Sequence, residues 1–123
     1  MGALAIDIMR GGQSAQGARN INGVVATGIS AAGTTISDAT DLQATVNVVS
    51  TVAASSGVQL PSMNIGDQCE VYNAGANSLK VYPDQTTVGI NQLSVGTGMT
   101  LGTNTGCKFR KVSATQVIAY LSA

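Results

Sequence analysis

Apolar and polar residues alternate in short runs along most of the chain, and Gly, Asn, Pro or Asp breaks the runs every few positions. Alternation with a period of two puts successive side chains on opposite faces of an extended strand, so the rhythm predicts β-structure. In residues 42–52, Leu42, Ala44, Val46, Val48, Ser50 and Val52 fall on one face, Thr45, Asn47 and Thr51 on the other, and Val49 breaks the phase. A helix capped by Asp38 competes here, but the β-branched Thr45, Val46, Val48 and Val49 disfavour it. Further strands are predicted at 24–27, 34–36 and 58–60, the last ended by Pro61. Residues 68–73 and 78–82 read as a hairpin across Ala74-Gly75-Ala76-Asn77, with Cys69, Val71, Leu79 and Val81 facing inward. Pro83-Asp84 is turn chemistry. A looser segment at 88–93 and strands at 99–101, 106–112 and 117–121 complete the pattern. Short strands between frequent turns predict an all-β fold, a small antiparallel sandwich or jelly-roll-like domain. No strict internal repeat is present, and even glycine spacing alone does not predict a solenoid.

The start of the chain breaks this rhythm. Leu4, Ile6, Ile8 and Met9 are apolar, and the small, polar, glycine-rich run Gly11-Gly12-Gln13-Ser14-Ala15-Gln16-Gly17 follows them. Residues 1–20 therefore read as an extended N-terminal arm, and residues 21–123 as the β domain. Fully extended, the arm spans roughly 65 Å, enough to reach a neighbouring molecule. A frayed terminus, or an edge strand of its own domain, is the plainer reading. The apolar run is short, interrupted by Asp7 and without the charged start of a secretory leader. No window approaches a membrane span, so the chain is expected to be a soluble product of the cytoplasm.

Composition narrows the function classes. The chain has 123 residues, enough for one core, and 44% are hydrophobic, but only four are aromatic. Small apolar side chains bury little area each, so stability shared between copies in a homo-oligomer is expected. Charged residues make up 10% and balance to zero. That lacks the basic footprint of nucleic-acid binding, and disorder would need higher net charge with less hydrophobicity. Cys69 and Cys107 stand far apart with no CxxC, and read as buried free thiols.

No catalytic constellation emerges. The chain has no histidine, which removes the commonest general base and metal ligand, and with them the Ser-His-Asp and Cys-His mechanisms. Asp38 with Asp41, or Asp67 with Glu70, are carboxylate pairs of the kind that hold a hard cation, but they read as solvated turn residues. Gly96-Thr97-Gly98-Met99-Thr100-Leu101-Gly102 has its third glycine misplaced for a nucleotide loop and no Lys-Ser or Lys-Thr pair, so it reads as a loop entering a strand. Lys108, Arg110 and Lys111 hold three of the six positive charges. Lys108 and Arg110 share one strand face beside Phe109, and a solvated face or a charged contact with a partner subunit is favoured there over RNA. No catalytic residue, metal ligand or cofactor is expected.

The stretch 52–120 resembles small modules of tailed-phage virion proteins. The residues that carry the resemblance are TVAASSGVQLP (51–61), VYNAGANSLKVYP (71–83), Ile90-Asn91-Gln92-Leu93 and VSATQVIAY (112–120). The chain departs from the pattern at Val117-Ile118, where the modules carry a bulky aromatic. The resemblance implies a structural, non-enzymatic protein on the virion surface, often trimeric. Within that family, a short chain without stalk repeats points to capsid decoration (cement), with the major capsid protein as partner. Leu4, Ile6, Ile8, Met9, Lys108 and Arg110 are then the partner-binding candidates. A fibre or tail-associated module that binds a receptor or glycan is the alternative, and an exposed aromatic patch would favour it.

Overall fold

The computed structural model describes residues 24–122, and the expected arm at 1–20 lies outside them. The strands run β1 (Val25–Ser30), β2 (Thr40–Asp41), β3 (Val46–Thr51), β4 (Gly57–Gln59), β5 (Gln68–Asn73) and β6 (Leu79–Tyr82). They continue as β7 (Gly89–Ile90), β8 (Met99–Leu101), β9 (Thr105–Ser113) and β10 (Gln116–Leu121). Nearly half of the described residues are strand and none is helical, as the alternation requires. No helix of the described residues is long and apolar enough to cross a membrane.

The expected antiparallel sandwich or jelly roll is corrected to a short β-solenoid with an antiparallel end. From β1 to β6, successive strands alternate between two sheets. β1, β3 and β5 pair in parallel in the larger sheet, and β2, β4 and β6 pair in parallel in the smaller one. Each crossing completes half a coil, so β1 to β6 form three stacked coils. The direction then reverses. β8 lies antiparallel to β6, β9 to β5 and β10 to β9, and β7 closes the far edge parallel to β10. The sheet orders are β1-β3-β5-β9-β10-β7 and β2-β4-β6-β8.

Three local expectations change with this topology. Residues 68–73 and 78–82 are strands as read, but they are not a hairpin; β5 and β6 belong to different sheets, and residues 74–77 turn the corner between them. Gly75 sits in that corner because a Cβ there would lie 2.6 Å from Val52 Cγ2. Residues 34–36 form a turn and not a strand. Asp38 holds it: its Oδ1 accepts from the Thr34 and Thr35 amides at 3.1 and 2.8 Å and from the Thr35 hydroxyl at 2.9 Å. Gly33, at φ +75°, brings the backbone against Asp38 where no side chain fits.

The phase of β3 is also reversed from expectation. Val46 and Val48 are half-buried on the outer face, whereas Asn47 and Val49 are fully buried. A bend at 44–45 separates β3 from Leu42 and Ala44, so the two segments keep separate phases. Asn47 is accommodated because its Nδ2 donates to Ala44 O at 2.8 Å and Glu70 O at 3.3 Å. Val49, Cys69, Val71, Cys107, Phe109 and Val117 from the larger sheet meet Val58, Leu79, Val81 and Leu101 from the smaller in one core. Phe109 is the one aromatic in that core cluster, and the rest is aliphatic, thioether or thiol.

Candidate functional site

The outer face of the larger sheet gathers side chains that the core does not use. β5 alternates strictly, with Cys69, Val71 and Asn73 buried and Gln68, Glu70 and Tyr72 exposed. In β9, Cys107, Phe109 and Lys111 are buried, and Lys108 and Arg110 are exposed between them. The structure thus places Lys108 and Arg110 on one face, as expected, and separates Lys111 from them. Leu4, Ile6, Ile8 and Met9 lie outside the described residues.

Register aligns these side chains in rows across the sheet. Val46 lies opposite Glu70, Glu70 opposite Lys108, and Lys108 opposite Tyr120. A second row runs Gln68, Arg110, Ile118. In a third, Tyr72 lies opposite Gly106, whose amide donates to Ser122 Oγ at 2.9 Å. Together they border an open concavity of about 630 Å³. Tyr72 is 39% exposed and Tyr120 57%, so two of the four aromatic residues stand in solvent on this one face. Composition alone missed Gln68, Glu70, Tyr72 and Tyr120, although the alternation through 68–73 and 117–121 already turns most of them outward.

The other titratable groups are structural. Lys111 Nζ donates to Asp84 Oδ2 at 2.9 Å, with both side chains buried. Asp84, read from the sequence as turn chemistry, ties the end of β6 to β9, and its Oδ2 also accepts from the Met63 amide at 3.2 Å. The hydrogen bonds from Thr35, backbone first, hold the Asp38 carboxyl below its ordinary pKa, which suits a turn brace. Asp67 Oδ2 accepts from the Asn64 amide at 2.8 Å, again within a turn. No group of three or more possible metal ligands occurs among the described residues. Residues 96–98 form a loop that leads into β8, as expected.

Cys69 and Cys107 are free and buried. Burial pushes the Cys69 thiol up to about 12 and the Cys107 thiol up to about 11, from an ordinary value of 9.0. At Cys69 the hydrogen bond from Asn47 opposes this shift, and nearby Glu70 adds to it. The thiolate is the reactive species, so both residues should react slowly with Ellman's reagent at pH 8 in the native protein. Both should react fast in denaturant. Because both folded-state values are raised, their contribution to stability is complete below about pH 9 and is lost as pH rises toward the folded values. Rapid release of two equivalents of chromophore from native protein would contradict the buried placement.

No protein-family model, no curated protein and no solved structure matches the chain.

Proposed function

We propose that the chain is a non-enzymatic structural module of a tailed-phage particle, a capsid-decoration protein that binds the major capsid protein at the outer shell. The observation that carries this reading is where the resemblance falls. VYNAGANSLKVYP runs from the second half of β5 through the corner to β6 and Pro83. Its distinctive residues shape that stretch, since Asn73 and Asn77 bond the backbone of neighbouring segments and Gly75 makes room for Val52. A resemblance of this kind follows the scaffold, as expected of a protein that works by its shape.

Attachment is supported at the other end of the solenoid. The outer edge of β1 has no strand partner among the described residues, and Val24 and Val25 are about half exposed there. An open edge of this kind readily accepts another strand, and residues 1–20 directly precede it. Assembly as a trimer would add the buried area that an aromatic-poor core lacks. Synthesis in the bacterial cytoplasm and residence on the virion surface follow from the same reading.

Deletion of residues 1–20 tests the attachment. The truncated protein should keep its thermal transition but bind undecorated particles at least tenfold more weakly. The apolar side chains Leu4, Ile6, Ile8 and Met9 are each worth roughly 1.5–3 kcal/mol if buried on a neighbour, before ordering costs. Unchanged binding, or collapse of the free domain, would remove the arm from the account.

The alternative, a fibre or tail-associated module that binds a receptor or glycan, gains from one observation: Tyr72 and Tyr120 share an exposed face.

A further inference from the structure

We propose that the concavity on the outer face of the larger sheet is a saccharide-binding site, selective for glycans that carry a carboxylate. The inference rests on the binding part of the alternative reading and does not depend on capsid attachment. It is tested on the isolated protein, so its failure is distinct from failure of the decoration reading.

The distribution of side chains points there first. The rest of the described surface is dominated by Ser, Thr, Asn, Gln and Gly. On this one face stand two tyrosines, two cations, a carboxylate and a primary amide: Tyr72, Tyr120, Lys108, Arg110, Glu70 and Gln68. None of these six side chains makes a hydrogen bond or ion pair with another described residue, although Glu70 and Lys108 are directly opposed. Elsewhere Gln59, Asn73, Asn77 and Tyr82 all bond the backbone through their side chains. The heads on this face have no partner among the described residues.

Gly106 adds a geometric argument. It lies within β9 with an ordinary strand conformation, so no positive φ demands glycine there. A glycine inside a strand weakens it and marks close approach of another group. Here a Cβ would lie 3.3 Å from Tyr72 Cδ1. The missing side chain lets the Tyr72 ring lean across the sheet and leaves the floor open between the two tyrosines. From strand spacing and rise, their Cα atoms are on the order of 12 Å apart.

The chemistry fits a sugar better than the competing ligands. A pyranose offers C–H groups on its faces and hydroxyls at its edges. Tyrosine rings present a flat apolar body for the first, with a phenol at the tip. Glu70 accepts, Lys108 and Arg110 donate, and Gln68 does both, so ring hydroxyls find partners of either sense. An apolar peptide would leave the charged and amide heads of Gln68, Glu70, Lys108 and Arg110 around the concavity without partners. A nucleic acid would use the tyrosines, but it would meet Glu70 in the middle of the face of a chain with net charge zero. Two cations against one carboxylate favour an anionic ligand of low charge density. The planar fork of Arg110 matches a carboxylate with two parallel hydrogen bonds.

The experiment uses the full chain on an array of acidic and neutral glycans, followed by titration of the 15N-labelled protein with trigalacturonate and with maltotriose. Binding to carboxylated glycans is expected, with amide shifts at Gly106 and Lys108 and at least tenfold preference for trigalacturonate. Tyr72→Ala and Tyr120→Ala should each weaken binding at least tenfold. Gly106→Ser should weaken it by filling the floor, and Arg110→Gln should abolish the preference for the acidic sugar. The tyrosine variants lie at exposed positions and should keep the native thermal transition. An array without acidic binders, binding indifferent to these substitutions, or tighter binding of oligo-dT than of any glycan would overturn the proposal. So would self-association that Tyr120→Ala abolishes, because the face would then be an interface between copies.

Discussion

Lys111→Met is expected to be among the most destabilising single substitutions in this protein, at about 3–5 kcal/mol, because it strands a buried carboxylate. Lys111 is the sole cation within reach of Asp84 among the described residues, and Asp84 Oδ1 already has no hydrogen-bond partner. Removing the ammonium leaves the Met63 amide as the only donor to Oδ2. The corresponding fall in melting temperature is on the order of 10–20 °C. The double substitution Lys111→Met with Asp84→Asn should recover much of the loss. It removes both charges and keeps an oxygen for the Met63 amide. Thermal or urea unfolding of the three proteins checks this. A single variant within about 1 kcal/mol of the parent would mean that the pair behaves as an exposed one.

Asn73→Ala should cost a comparable amount, about 2–5 kcal/mol, by leaving three backbone groups without their partner, two of them in buried bonds. Asn73 Nδ2 donates to Asn77 O at 2.9 Å and to Leu101 O at 3.0 Å, and its Oδ1 accepts from the Gly75 amide at 2.9 Å. These bonds close the corner between β5 and β6 and hold it to the end of β8, where the parallel coils meet the antiparallel end. Ser78→Ala, at an exposed position in the same segment, should shift stability by less than about 0.5 kcal/mol. Equal effects at the two positions, measured by urea unfolding, would argue against a specific role for Asn73.

These side chains mark where the sequence was legible and where it was not. The strands at 68–73, 99–101 and 106–112 were readable because each carries a clean alternation that one buried face enforces. Their partners were not, because alternation gives a strand its faces and says nothing about its neighbours. The coils also hide their period. Val25 lies opposite Val46 and Val46 opposite Glu70, steps of 21 and 24 residues. In the smaller sheet Thr40 lies opposite Val58 and Val58 opposite Val81, steps of 18 and 23. Corners of unequal length leave no fixed repeat to detect.

The same reasoning applies to the polar residues. Asn47 looked outward by type, but its burial is made tolerable by one acceptor at the local bend, Ala44 O, and one on the neighbouring strand, Glu70 O. Lys111 shares its phase with Cys107 and Phe109 and was therefore inward by alternation. Reading it as one of a basic trio concealed its need for a buried carboxylate. The outer face suffered the opposite error. Lys108 and Arg110 were found because they are close in sequence. Glu70, Tyr72 and Tyr120 joined them only once β5, β9 and β10 were side by side.

The proposal that this chain decorates a phage capsid is tested most directly by its copy number in particles purified from cells that produce it, determined by quantitative mass spectrometry against the major capsid protein. Decoration requires copies in the hundreds per particle, in fixed proportion to the shell protein. A handful of copies would assign the chain to a fibre or tail, and none would contradict a virion role altogether.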